Sequence, residues 1–429
     1  MLAILTSGDS SEPTTTVLLV TLYANVFVSA NTINGIKNSV IKNLRIKYLA
    51  MTDLAKIDEL AKVYYKNLDF ENALVCYAEA FARYPYLGLA YSNYGKILAE
   101  KGHPELAIPF IEMGIRLMPE DTNAPMNLAY SVLLTGDLER GFKEFECRWK
   151  FKNHEHVLES YNKPRWEGED IAGKTLLVTC EEGDGDNIQF IRYVRLINAD
   201  IIIQTEPQLK RLFKSSFPEY TVIDNTEDVP EYDYWTPILS LPRVLKITYD
   251  NLPQINNYIK PSKESVKKWK KIIKQSNKTR IGICYRGRTK RYPFENIFKM
   301  IKEHPEYEYV SIQGIYQDNE FEQLSDIGVV TYINDIDDWD DTAALIQHLD
   351  YIISIDTGLV HLAGSSGVPV IMLNDKYAGC WRWLLDRSDS PWYPSVTIAR
   401  QENIHGYDKQ LETAMSYING NRDRSPYFS

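Results

Sequence analysis

The sequence has five cysteines in 429 residues, Cys76, Cys147, Cys180, Cys284 and Cys380, and no two of them form a Cys-x-x-Cys pair. That spacing argues against a zinc site or a disulfide framework and fits a reducing, cytoplasmic setting. Histidine is scarce, at seven, and no His/Asp cluster has ligand spacing, so no metal site is expected. No apolar run reaches the 18 or so residues of a membrane span. Gly-x-Gly-x-x-Gly follows no candidate first strand, which disfavours a dinucleotide-dependent dehydrogenase. Base is outweighed by acid, with a net charge of −10, against general binding to nucleic acid or anionic membrane. Apolar content of 44% and charged content of 25% describe an ordinary soluble protein of two or three domains.

Residues 17–28 are apolar and β-prone but too short to span a bilayer. Ser7 to Glu12 ahead of them bring acid and serine where a signal peptide wants base. Clear helical patterning begins near Met51, so the leader 1–52 is either an artefact of the assigned start or an extra helix or strand packed on the helices after it. From Lys56 to Trp149 the sequence repeats with period 34. Ala61, Gly95 and Ala129 align, as do Ala73, Ala107 and Gly141, and Tyr77, Ile111 and Phe145. Gly102 and Gly136, and Pro85 and Pro119, keep the same interval. Small residues allow two helices to cross closely and aromatics fill between pairs, which is the tetratricopeptide pattern, here about three repeats over 53–150. Such repeats can hold a protein partner.

A polar connector, 151–172, ends in Pro164-Arg165-Trp166-Glu167-Gly168, with Trp166 expected to be buried. Strands and helices then alternate. Strands are predicted at 175–180, 201–203 and 220–223, then at 280–285, 309–312, 329–332, 351–355 and 370–373, with helices at 187–196, 207–213 and 407–418. Two turns stand out. Gly183-Asp184-Gly185-Asp186 follows the first strand, and its glycines leave Asp186 at a helix start, where it either caps the helix or faces a cleft. Ser354-Ile355-Asp356-Thr357-Gly358-Leu359 takes a strand into a helix that Gly367 closes before Pro369. Free N–H groups at that helix start suit a phosphate, with Gly358 permitting close approach and Thr357 adding a hydroxyl. The alternative is an ordinary turn capped by Asp356.

Several words occur in order: Asp341-Thr342-Ala343-Ala344-Leu345-Ile346, the stretch from Ser354 to Gly364, Trp381-Arg382-Trp383-Leu384-Leu385-Asp386-Arg387, and Asp389-Ser390-Pro391-Trp392-Tyr393-Pro394. Together they resemble the bacterial tetratricopeptide-repeat glycosyltransferases related to the ADP-heptose:lipopolysaccharide heptosyltransferases, more distantly similar to O-GlcNAc transferase. The resemblance runs from about Asp53 to Ile404. It implies a GT-B arrangement: an acceptor-side Rossmann-like half, 173–262, a nucleotide-sugar half, 263–404, and a C-terminal helix and tail, 405–429, crossing back to the first half. It further implies an inverting, metal-independent transfer from a nucleotide-diphospho-sugar, with no resident cofactor. Asp186 would be the general base, within an acceptor loop of Gly183, Asp184 and Gly185. Glu181, Glu182 and Asp184 remain rival carboxylates, and Asp184 stands where the family has an apolar residue.

Donor contacts implied by the resemblance are Asp356, Thr357, Gly358, Leu359 and His361, with Arg286, Arg288 and Lys290 facing the diphosphate. Arg286 and Arg288 depart from the small and polar residues usual there. The span from Lys260 to Arg291 carries thirteen Lys or Arg against one acid, Glu264. It reads either as a solvated surface or as a guide for a phosphate-rich acceptor such as nucleic acid. The acceptor could equally be a protein or a surface glycan. The competing class is a non-catalytic repeat scaffold with a nucleotide-sugar-binding module.

Overall fold

The structure is a computed structural model that describes residues 54–151, 160–253, 257–377, 379–403 and 405–420. The apolar stretch 17–28 lies outside them. The chain divides into two compact units, Met1–Glu155 and His156–Ser429.

Among the described residues of the first unit six helices follow one another: α1 (Leu54–Lys66), α2 (Phe70–Arg83), α3 (Gly88–Glu100), α4 (Pro104–Leu117), α5 (Asn123–Leu134) and α6 (Leu138–Glu144). The 34-residue period has a direct geometric reading. Gly102 and Gly136 stand just past the ends of α3 and α5 with φ of 90° and 92°, the left-handed stop that glycine adopts without penalty. Gly95 is the point where α3 crosses α4. A Cβ there would lie 2.5 Å from Ile111 Cγ1 and 2.8 Å from the Ala107 carbonyl. Around the crossing, Phe81 stacks on Tyr91 at 4.6 Å, and Tyr94 meets Phe110 at 4.7 Å. Gly95→Ala should therefore lower the stability of the helical unit by about 1–3 kcal/mol, the usual cost of overpacking. The check is loss of helical circular dichroism on heating the full chain, and an unchanged melting curve would show that α3 and α4 can move apart freely.

The described residues of the second unit form two parallel sheets. The first is ordered β3-β2-β1-β4, from β1 (Thr175–Thr179), β2 (Asp200–Thr205), β3 (Thr221–Asp224) and β4 (Tyr234–Pro237). Helix α7 (Asp184–Phe190) follows β1 and α8 (Pro207–Ser216) follows β2. Trp166 is buried beside this sheet, its backbone N–H donating to the Trp235 carbonyl at 2.8 Å.

After α9 (Lys263–Ile272) comes the second sheet. Its strands are β5 (Arg280–Cys284), β6 (Glu308–Ser311), β7 (Val330–Thr331), β8 (Tyr351–Ile355), β9 (Val370–Asn374) and β10 (Val396–Arg400), in the order β10-β9-β8-β5-β6-β7. Its helices are α10 (Phe294–Glu303), α11 (Glu320–Asp326), α12 (Trp339–Ile346), α13 (Gly358–Ser365) and α14 (Tyr407–Gly420). The central strands β8 and β9 are nearly continuous buried runs, as expected where helices cover both faces of a parallel sheet. In each sheet the order reverses beside a central strand, between β1 and β4 and between β5 and β8. Such switch points open crevices at the strands' carboxyl ends.

Three expectations are corrected. The helix predicted at 187–196 begins at Asp184 and tightens into a 3-10 turn over Ile191–Leu196. Strand β10 joins the second sheet, although its Val-Thr-Ile-Ala-Arg stretch was not predicted as a strand. Helix α14 does not cross back to the first half. Its Leu411, Ala414, Met415 and Ile418 sit in one core with Met300 and Ile301 of α10 and with Leu373 and Ala399. An apolar stripe of that width needs a matching apolar surface, and α10 with the β9–β10 edge supplies it.

The two halves of this unit are tied by buried polar groups. Asp340 and Asp341, at the start of α12, have no exposed surface. Asp340 accepts from the Ser262 N–H at 2.8 Å and from the Ser265 hydroxyl at 2.7 Å, and it pairs with Arg211 of α8 at 3.3 Å. Asp341 takes Lys268 Nζ at 2.8 Å and Trp269 Nε1 at 3.0 Å. Arg192 is buried and donates to the Trp392 carbonyl and to the Tyr258 hydroxyl, each at 2.9 Å.

Candidate active site

The loops after β1, β5 and β8 converge. Each begins at the carboxyl end of a central strand, where the chain leaves the sheet. After β8, Thr357 is extended, with φ −140° and ψ 173°, and α13 starts at Gly358. The Thr357 side chain makes no capping bond to the first turn; its hydroxyl lies 3.4 Å from Ser354 Oγ. The positive end of α13 is thus left without a side-chain cap.

Across from it, Gly183 precedes α7 and Asp186 Oδ2 accepts the Gly183 N–H at 3.3 Å. Asp186 thus caps the turn through Oδ2, while its other oxygen, Oδ1, pairs with Arg382 and its side chain stays 30% exposed. The two turns touch through their glycines. A Cβ on Gly185 would lie 2.9 Å from Gly358 Cα and 2.9 Å from His361 Cδ2. A Cβ on Gly358 would lie 2.9 Å from the Trp339 ring. Only hydrogen side chains let the halves approach this closely.

The rival carboxylates Glu181 and Asp184 are engaged. Glu181 accepts the Leu239 N–H at 3.1 Å, and Asp184 holds Trp339 Nε1 at 2.8 Å and Gln208 Nε2 at 3.0 Å. The polar residue at the position where the resembling family is apolar is thus explained by Trp339 and Gln208. Glu182 is exposed and takes a left-handed φ of 59°, a strained turn conformation.

The basic loop after β5 splits into separate fates. Arg286 is buried and its Nη2 pairs with Glu320 at 2.5 Å, so it braces the loop against α11. Arg288 is exposed at the tip. Lys290 turns back to the β8 turn, with Nζ 2.5 Å from Asp356 Oδ2. Burial works to raise the Asp356 carboxyl, and the Lys290 ammonium outweighs it, holding the group below the usual carboxylate range. Gly287 rests against Thr357, its would-be Cβ 3.1 Å from Thr357 Cγ2. Leu359 is buried within α13.

His361 is also buried. Its Nδ1 lies 2.9 Å from the Tyr393 hydroxyl and its ring stacks on Trp383 at 5.6 Å. Burial, then the neighbouring Arg382 charge, push it down to about 3, so it stays neutral at physiological pH.

Arg382 is the residue that the sequence patterns left without a role. It lies in the second half, in the Trp381-Arg382-Trp383 word, and reaches across to pair Nη2 with Asp186 Oδ1 and Nε with Gln189 Oε1. Its guanidinium packs on the Trp381 ring at 4.5 Å, and its side chain is 13% exposed against 30% for Asp186.

Lysine-rich α9 is not a bare cationic face. Lys268 is held by Asp337 and Asp341, and Trp269 is fully buried, while Lys267, Lys270 and Lys271 are exposed. Among the described residues no cluster of His, Cys, Asp or Glu is arranged to hold a metal ion. Among them, too, no helix is long and apolar enough to cross a membrane.

No protein-family model matches the chain. Protein FlbA of Caulobacter vibrioides is 26% identical over 368 residues, covering 76% of this chain. The chain spans only 61% of the length of that relative. A glycosyl transferase of family 9 from Veillonella parvula matches at 12% identity, covering 58% of this chain and 91% of that one, with a TM-score of 0.44. The E. coli ADP-heptose lipopolysaccharide heptosyltransferase II matches at 14% identity, over 57% of this chain and 99% of that one, with a TM-score of 0.38. The first tetratricopeptide domain of Spaghetti (RPAP3), solved with an HSP90 peptide, matches at 16% identity over 25% of this chain and 90% of that one, with a TM-score of 0.23. All three TM-scores lie below 0.5, too low to define the chemistry of this chain.

Proposed function

We propose that the α/β unit is a GT-B glycosyltransferase that moves a sugar, with inversion, from a nucleotide-diphospho-sugar to an acceptor hydroxyl. The observation that carries this reading is the meeting of a partly exposed carboxylate, Asp186, with the uncapped N-terminus of α13 through the Gly185–Gly358 contact. The diphosphate lies at the α13 start, near Lys290. The acceptor hydroxyl gives its proton to Asp186 as its oxygen attacks the anomeric carbon. The bond from that carbon to the phosphate oxygen breaks on the opposite face, and its electron pair leaves with the nucleoside diphosphate. Fixed cations and N–H groups offset the charge on the leaving group, so no metal is required.

The helical unit presents the acceptor or a protein partner. A protein or glycan acceptor is favoured over nucleic acid by the net charge of −10, although Lys267, Lys270 and Lys271 of α9 are exposed.

The test is intact-mass analysis of candidate acceptors incubated with a panel of activated sugars in EDTA. A mass increase of one sugar residue supports the reading, and strict dependence on Mn²⁺ or Mg²⁺ would contradict it. Gly358→Val gives a second check. The branched side chain would meet Trp339 and stand over the first N–H groups of α13. Nucleotide binding should be lost, with a stability cost of about 1–3 kcal/mol. Unchanged affinity in a folded variant would remove this turn from the site.

A further inference from the structure

An Arg–Asp pair at this place sets a problem. A carboxylate oxygen that already accepts a guanidinium N–H is occupied, and an acceptor hydroxyl cannot take the same place on it. The guanidinium is nevertheless well placed for a second partner. It extends from the donor half, packs on Trp381, and pairs with Asp186. Asp186 is the residue directly after Gly185, whose Cα hydrogen faces Gly358 at the start of α13. Arg382 thus pairs with a carboxylate one residue from the contact with the α13 start, and its charge also acts on Asp356 and His361 at that turn.

We propose that Arg382 is a shared cation: without donor it holds Asp186, and a bound nucleoside diphosphate draws it onto the phosphates, leaving Asp186 free as the base. The exchange is favourable because a diphosphate carries more negative charge than one carboxylate and accepts the guanidinium fork with two oxygens. The guanidinium is planar and rigid, so the exchange turns the whole side chain about its aliphatic torsions and gives up the Gln189 Oε1 contact at Nε together with Asp186. Transfer is then ordered, with donor binding first and base release second, and an acceptor that arrives alone meets a carboxylate still held by Arg382. This inference rests on the glycosyltransferase reading above, and its test separates the two.

Calorimetry on the full chain with ADP, GDP, UDP and CDP selects the nucleotide that binds. Asp186→Asn frees Arg382 and should tighten that nucleotide about tenfold, the equivalent of one charge-assisted hydrogen bond. Arg382→Gln should weaken it by a similar factor. In the double variant the gain from Asp186→Asn should disappear. Arg382→Lys keeps the cation without the fork and should retain part of the gain. It also carries the comparison should the Gln variant fail to fold, with melting curves as the control.

A gain that persists undiminished beside Arg382→Gln would mean that Asp186 merely repels phosphate, and would overturn the shared-cation proposal. Absence of any gain would overturn it as well. If the parent binds none of the four nucleotides, the glycosyltransferase reading itself fails and takes this proposal with it.

Discussion

Asp186→Asn is expected to slow sugar transfer by roughly 10²–10⁴ while the melting temperature moves by only a few degrees. The rate term is the loss of a general base. The stability term is small because asparagine keeps an oxygen that can accept the Gly183 N–H, the 3.3 Å bond that ties the turn together. A lost cap costs about 1 kcal/mol, which in a unit of this size is roughly 2–4 °C. The Arg382 pair is weakened by the same change, but Asp186 is 30% exposed, and solvent screening limits what that pair adds to stability. Initial rates at saturating donor, with a melting curve on the same sample, decide the matter. A variant that melts early and turns over normally would make Asp186 a purely structural residue. The base role would then pass to a rival carboxylate of the same loop, of which Glu182 is the exposed one.

Asp341→Ala should be the most damaging single change away from the crevice. Its carboxylate is fully buried and accepts from Lys268 Nζ at 2.8 Å, Trp269 Nε1 at 3.0 Å and the Asp337 N–H at 3.1 Å. Removing it strands a buried indole N–H and a lysine whose other carboxylate partner, Asp337, is largely exposed. Breaking a buried pair in this way costs about 3–5 kcal/mol, or on the order of 10 °C in melting temperature.

The same residue sets an acid limb. Burial works to raise the Asp341 carboxyl, and the Lys268 bond leads the groups that outweigh it, leaving it below its ordinary value. A depressed carboxylate contributes stability above its unfolded value of about 3.9, and that contribution is lost as pH falls through the lower folded value. Parent and variant should therefore differ most above pH 4 and converge in stronger acid. A difference that grew toward low pH would show that the carboxylate is not the stabilising form.

The parts that could be read from sequence share one property: each is set by neighbours close along the chain. The 34-residue interval showed the helix crossings because Gly95 and Ala107 belong to adjacent helices and need small residues wherever they meet. Strand β8 and the start of α13 were legible because an apolar β-branched run followed by Asp-Thr-Gly encodes strand, turn and helix start locally. Strand β10 was missed because Val396, Thr397 and Ile398 follow a loop rich in tryptophan and proline, and only pairing with β9 makes them a strand. The path of α14 was misjudged for a related reason. An amphipathic helix specifies an apolar stripe but not the surface that covers it, and here α10 with the β9–β10 edge provides that surface.

Asp186 could be picked out in its glycine turn, but its partner Arg382 lies 196 residues away, and no local pattern joins them. The fates of Arg286 and Lys290 diverge in the same way, one turned to Glu320 and the other to Asp356, although they stand four residues apart in one basic loop. Residue type and spacing determined which groups this chain could offer, because helix ends, glycine turns and apolar periods are short-range properties of the backbone. Which charge meets which was decided only when the two sheets packed with Gly185 against Gly358, since ion pairs depend on separations through space that a chain order does not contain.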